Sequence, residues 1–85
     1  MKIRYSKKAL KFLAKQEKSA VNRITAAIVK LTISPPEGDI KPLQGSGDKM
    51  RLRVGGYRVI YWYSEENGLE ILFIDEIGNR GDIYK

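Results

Sequence analysis

Residues 49–63 constrain the fold more than any other stretch of this chain. Met50, Leu52 and Val54 alternate with Lys49, Arg51 and Arg53, and a period of two predicts a β-strand with one apolar and one cationic face. Gly55-Gly56 follows, a pair able to take the positive φ angles of a tight hairpin turn. The chain then returns through Tyr57, Arg58, Val59, Ile60, Tyr61, Trp62 and Tyr63, a run of aromatic and β-branched residues suited to a second strand. Lys49, Arg51, Arg53 and Arg58 thus gather on one rigid hairpin, an arrangement suited to holding a polyanion in fixed geometry.

The remaining 85-residue composition narrows what such a hairpin can serve. This length makes one small domain, residues 1–85, with a modest core. Without cysteine there is neither a disulfide framework nor a thiolate metal site, and the lack of a signal-peptide or membrane-spanning run reads as a cytoplasmic protein with no membrane partner. Histidine is also absent, which removes the commonest metal ligand and the usual proton carrier near neutral pH. Any catalysis must then use carboxylates, Lys, Arg, Tyr or Ser. The net charge of +6, from 16 Lys and Arg against 10 Asp and Glu, suits a nucleic-acid or acidic-protein partner, and also suits simple solubility.

Taken in order, Lys2-Ile3-Arg4-Tyr5 alternates as a short first strand. Ser6 is placed to cap a helix running to about Glu17, with Ala9, Leu10, Leu13 and Glu17 on one face and Phe12 beside it. Ser19 is placed to cap a second helix whose Val21, Ile24, Ile28 and Leu31 recur at helical spacing. The many lysines of this helical hairpin read as solvated outer faces, with a site for acids as the alternative. Ser34-Pro35-Pro36 stops the second helix. Residues 37–48 read as a loop, and Gly45-Ser46-Gly47 as a linker, since no strand leads into a helix there as a phosphate loop requires. Asn67-Gly68 marks another tight turn, before a central strand Leu69–Ile74. Residues 75–85 read as a turn-rich tail.

The expected fold is therefore α+β: a small antiparallel sheet of three or four strands packed against an N-terminal helical hairpin. The neighbouring carboxylates Asp75 and Glu76 are expected to face opposite ways on extended chain and not to share a site. Tyr57, Tyr61 and Tyr63 share a face with Val59 and are expected to pack on the helices. Trp62, on the face of Arg58 and Ile60, either stacks a base or fills the core, with core filling favoured.

The order strand, two helices, loop, strand meander, together with Leu52-Arg53-Val54-Gly55-Gly56-Tyr57-Arg58-Val59-Ile60-Tyr61 and the later Ile74 to Arg80 and Ile83-Tyr84 elements, resembles the RelE/ParE superfamily of bacterial toxin–antitoxin toxins, and its RelE-like branch in particular. The resemblance spans nearly the whole chain. It implies a RelE-like fold and a ribosome-dependent, metal-independent messenger-RNA endoribonuclease (an mRNA interferase) needing no cofactor, silenced by a cognate acidic antitoxin that also sets the oligomeric state. It further implies functional roles at Lys49, Arg51, Arg58, Arg80 and Tyr84, with Arg51 standing where the type member has lysine. The alternative within the superfamily is a ParE-like toxin that inhibits DNA gyrase by binding it.

The chemistry is consistent with these residue types. RNA can be cleaved without metal or histidine by attack of a 2′-hydroxyl on the adjacent phosphate, and guanidinium groups such as those of Arg58 and Arg80 suit the negative charge that builds on the phosphoryl oxygens. Lys49 is a better donor than arginine for the leaving 5′-oxygen. Tyr84 amid cations is a candidate acceptor of the 2′-proton, with neutral Lys49 as the other. Arg53, on the same strand face as Lys49 and Arg51, is assigned to RNA phosphate or antitoxin contact.

Overall fold

A computed structural model describes residues 1–79. The order is β1 (Lys2–Tyr5), α1 (Lys7–Ala14), α2 (Lys18–Val29) with a single 3₁₀ turn (Lys30–Thr32), β2 (Asp39–Pro42), β3 (Met50–Val54), β4 (Tyr57–Glu66) and β5 (Leu69–Asn79). The strands form one sheet ordered β1-β5-β4-β3-β2. Two helices pack against this sheet, and the fold is α+β as expected.

The sheet is larger than expected and is mixed. β1 lies beside β5 and runs parallel to it, Ile3 opposite Leu72 and Tyr5 opposite Ile74, whereas the other three pairings are antiparallel. Part of the stretch expected to be a loop is β2, whose Ile40 opposes Leu52. It is short, carries two charged residues and ends in proline, which is tolerated because β2 is an edge strand. β5 likewise continues past Ile74 into the expected tail.

Helix boundaries follow from local hydrogen bonding. Ser6 caps α1 as expected, its Oγ accepting from Ala9 N at 3.0 Å while its own hydroxyl donates to the carbonyl of Asp75. The first helix ends at Ala14, earlier than expected, because Lys15 N and Gln16 N take the carbonyls of Phe12 and Leu13. Glu17, expected on the apolar face of α1, instead occupies the N-cap of α2, the place expected for Ser19, and makes no side-chain capping bond. Both tight turns form where the glycines predict them. Val54 faces Tyr57 across Gly55-Gly56, with Gly55 at φ +57°. Glu66 faces Leu69 across Asn67 at φ +52° and Gly68 at φ +78°, the doubly left-handed pattern that favours Asn-Gly.

One layer of side chains joins helices to sheet. Ala9, Ile24, Ile28 and Leu31 meet Leu52, Val59, Tyr61, Leu72, Ile74 and Ile77, and each large aliphatic buried here contributes about 1.5–3 kcal/mol. Leu10 is exposed, contrary to expectation. Tyr63 reaches only the border of this layer, donating its hydroxyl to the carbonyl of Leu31 at 2.8 Å. The helix-facing set on β5 steps from Ile74 to Ile77 because the register shifts: Ile60 opposes Glu76 while Tyr61 opposes Ile74. Asp75 is the extra residue of a β-bulge, and the bulge turns Ile77 inward.

Candidate nucleic-acid interface on the face away from the helices

Alternation along the strands sends Arg51, Arg53, Arg58, Ile60 and Trp62 to the face opposite the helices. Arg53 and Arg58 are direct cross-strand partners. Like charges so placed repel each other, so this pair concentrates positive potential at the hairpin end of the sheet. The neighbour of Arg58 on β5 is Gly78, which adds no side chain. Arg51 pairs with Ile60 one step further on, and Lys49 lies just before β3. From Lys49 to Arg53 the cationic row extends about 13 Å at the usual strand rise.

Two of these cations are buried. Arg51 is 4% exposed and Arg58 9%, although a hairpin surface would be expected to leave both in water. One acidic neighbour of the row is Asp39 on β2, with Arg51 Nη2 at 3.5 Å and Arg53 Nε at 3.8 Å. Arg51 Nη1 is buried and has no hydrogen-bond partner among the described residues. Such a donor is costly unless something accepts from it.

At the other end of the row, Lys49 Nζ is 3.3 Å from Asp75 Oδ2 and 5.3 Å from the centroid of the Trp62 ring. Trp62 is stacked on Phe73, centroids 4.6 Å apart and planes at 28°. Trp62 therefore does not fill the core between sheet and helices. The cleft beside it, about 290 Å³, is lined by Gln44, Ser46, Lys49, Ile60, Asp75 and Glu76. Both carboxylates share this cleft, contrary to expectation, because the bulge breaks the alternation that would separate them. Gly45-Ser46-Gly47 is the tip of the β2–β3 connection, closed by Leu43 N to Lys49 O at 3.0 Å.

Of the tyrosines, Tyr61 is 1% exposed, and burial, aided by nearby Tyr63, pushes its hydroxyl up to about 12. Burial also raises Tyr5 and Tyr63. These three stay protonated near neutrality and do not act as bases. Arg80 and Tyr84 lie outside the described residues. Asp75, Phe73 and Asp39 are site neighbours that sequence reasoning missed. The signal for Asp75 was the spacing of three between Ile74 and Ile77, a slip in the period of two that marks a bulge. Among the described residues no group of three or more His, Cys, Asp or Glu is placed to hold a metal, and no helix is long and apolar enough to cross a membrane.

The sequence of residues 3–84 matches the family described as ParE toxin of type II toxin–antitoxin system, parDE. The chain belongs to this toxin family. Among solved structures, the RelE toxin of the archaeal RelE–RelB complex from Pyrococcus horikoshii is similar at 28% identity, TM-score 0.69, over 95% of this chain and 96% of that one. The isolated Escherichia coli RelE toxin superposes with TM-score 0.74 at 22% identity, over 98% and 89%. The YoeB/ParE toxin from Agrobacterium tumefaciens does so with TM-score 0.72 at 20% identity, over 93% and 98%. At these last two identities the likeness is one of fold. No curated protein matches the sequence. The chain is thus a RelE/ParE superfamily toxin of the type II toxin–antitoxin class.

Proposed function

We propose that this ParE-family toxin is a cytoplasmic, ribosome-dependent messenger-RNA endoribonuclease, acting as one domain over residues 1–85 and neutralised by a cognate acidic antitoxin. The observation that carries this reading is the cationic row Lys49, Arg51, Arg53 and Arg58 on one rigid sheet face, two of its guanidinium groups buried. Buried, preorganised donors stabilise charge that develops in a transition state better than mobile surface ones do. The 2′-oxygen attacks phosphorus, the bond to the 5′-oxygen breaks, and a 2′,3′-cyclic phosphate and a 5′-hydroxyl end remain. Arg51, Arg58 and Arg80 neutralise the phosphoryl oxygens, Arg53 holds a neighbouring phosphate, and Lys49 protonates the leaving oxygen. Tyr84 or neutral Lys49 takes the 2′-proton.

That the Pyrococcus horikoshii toxin is found with RelB supports an antitoxin partner here, and the +6 charge suits an acidic one. The ParE description of the matching family favours the competing reading, binding of DNA gyrase. Mapping new 5′ ends of transcripts in cells expressing the protein decides between them. Cuts within translated frames are expected. Gyrase-dependent DNA breaks with intact transcripts would replace this reading with the other.

A further inference from the structure

Lys49 carries a charge on a flexible four-carbon stem, and a lone exposed ion pair holds such a side chain weakly. Here two independent contacts from two strands meet it. Asp75 Oδ2 lies 3.3 Å from Nζ, and the Trp62 ring presents its face to the same ammonium at 5.3 Å, within the range where a cation is drawn to an indole. The indole is itself held by Phe73. Asp75 belongs to the bulge, tied down through its carbonyl by Ser6 Oγ, so both walls of this seat are fixed by the fold. Bulges beside functional sites commonly re-aim one side chain in this way.

We propose that Asp75 and Trp62 are positioning residues for Lys49, a two-sided seat that keeps its ammonium over the cleft and in the orientation needed to deliver a proton. The effect on rate rests on the nuclease reading; the seat itself does not. Stacking of Trp62 on a base would require Lys49 to leave the ring, so in this arrangement the indole serves the lysine.

Two measurements on the full chain, made by cell-free synthesis, test this. In the nuclear magnetic resonance spectrum, the Lys49 ε-methylene protons should be shifted upfield by the indole ring current. That shift should shrink in Asp75→Asn and return in Asp75→Glu. In single-turnover cleavage of ribosome-bound messenger, Asp75→Asn and Trp62→Leu should each slow the chemical step by about 10- to 100-fold, the loss expected from misplacing a reacting group. The half-saturating ribosome concentration should not change, and Asp75→Glu and Trp62→Phe should recover most of the rate. In a Lys49→Ala background neither loss should appear, since both residues act through that amine. An unshifted ε-methylene in the parent protein, a shift indifferent to Asp75→Asn, or rate losses that persist without Lys49 would overturn the proposal. A parent protein that cuts no messenger would refute the nuclease reading alone, and the spectra would still decide the seat. Trp62→Phe and Asp75→Asn keep the test valid should Trp62→Leu fail to fold.

Discussion

Arg51 and Arg58 are buried cations, and their placement costs the fold free energy. Taking a guanidinium out of water is expensive even when partners exist, and among the described residues Arg51 receives only a long contact from a half-exposed Asp39. Folding alone gives no reason to keep it, whereas on the nuclease reading an incoming phosphate accepts from its buried Nη1. Arg51→Met should therefore raise thermodynamic stability by about 0.5–2 kcal/mol, the usual trade at a functional site, while cleavage falls; chemical denaturation and a cleavage assay on the same preparation check both halves. Arg58→Ala should lower the cleavage rate by about 10²–10³, as loss of one transition-state donor does, with the circular dichroism spectrum unchanged; persistent growth arrest at equal protein levels would remove Arg58 from the site. Tyr61 makes a different kind of prediction. Its folded value, about 12, lies above the ordinary 10.0, so the neutral hydroxyl is favoured in the fold and the unfolded chain ionises first. Its contribution is complete below pH 10 and should be lost between pH 10 and 12 at up to about 1.4 kcal/mol per pH unit. Tyr61→Phe should flatten that alkaline decline in urea titrations.

At the scale of elements, Ser6 joins β1, α1 and the bulge of β5. Its hydroxyl oxygen caps α1 and its proton goes to the carbonyl of Asp75, so Ser6→Ala removes both bonds. A lost cap costs about 0.5–2 kcal/mol, which for a domain of this size lowers the thermal midpoint by roughly 4–8 °C per kcal/mol. A midpoint unchanged by this substitution would show that the serine joins nothing. The elements that were legible in the sequence are those with local causes: α1 from the Ser6 cap, α2 from Ile24 and Ile28 at one-turn spacing, the two hairpins from Gly55-Gly56 and Asn67-Gly68. Those that were not legible depend on distant partners. β2 has one apolar side chain, Ile40, and becomes a strand only because β3 offers it a ladder. The parallel pairing of β1 with β5 joins residues some 70 positions apart, and no local pattern encodes it. Core filling, the favoured expectation for Trp62, fails for the same reason: which face of a strand is the core is a property of what packs on it. The cations of the site were readable from alternation, but their burial and the seat of Lys49 were not, because both depend on which strands lie beside β3 and β4.

For the whole molecule, the nuclease reading raises the question of which parts of the catalytic task the chain can perform by itself. The sheet provides charge: a row of cations on one face, in a chain of net charge +6, which on the nuclease reading binds single-stranded RNA through its phosphates with strong dependence on salt. It provides a candidate proton donor in Lys49. Among the described residues it offers little to shape the RNA backbone, since the face is a shallow sheet beside a cleft of about 290 Å³, and the chain lacks histidine altogether. In-line attack needs the 2′-oxygen, the phosphorus and the 5′-oxygen aligned, and alignment of this kind is worth about 7–11 kcal/mol. On the proposed reading the ribosome supplies it, by holding messenger with its backbone bent. The same oligonucleotide should then be bound when free, with affinity falling steeply between low and physiological salt, yet be cut many orders of magnitude more slowly than when threaded through a ribosome. Single-turnover rates on the two substrates, measured at saturating protein so that binding drops out of the comparison, check this. Comparable rates would mean that the sheet face itself bends the RNA, and the alignment would have to be sought in the chain's own residues.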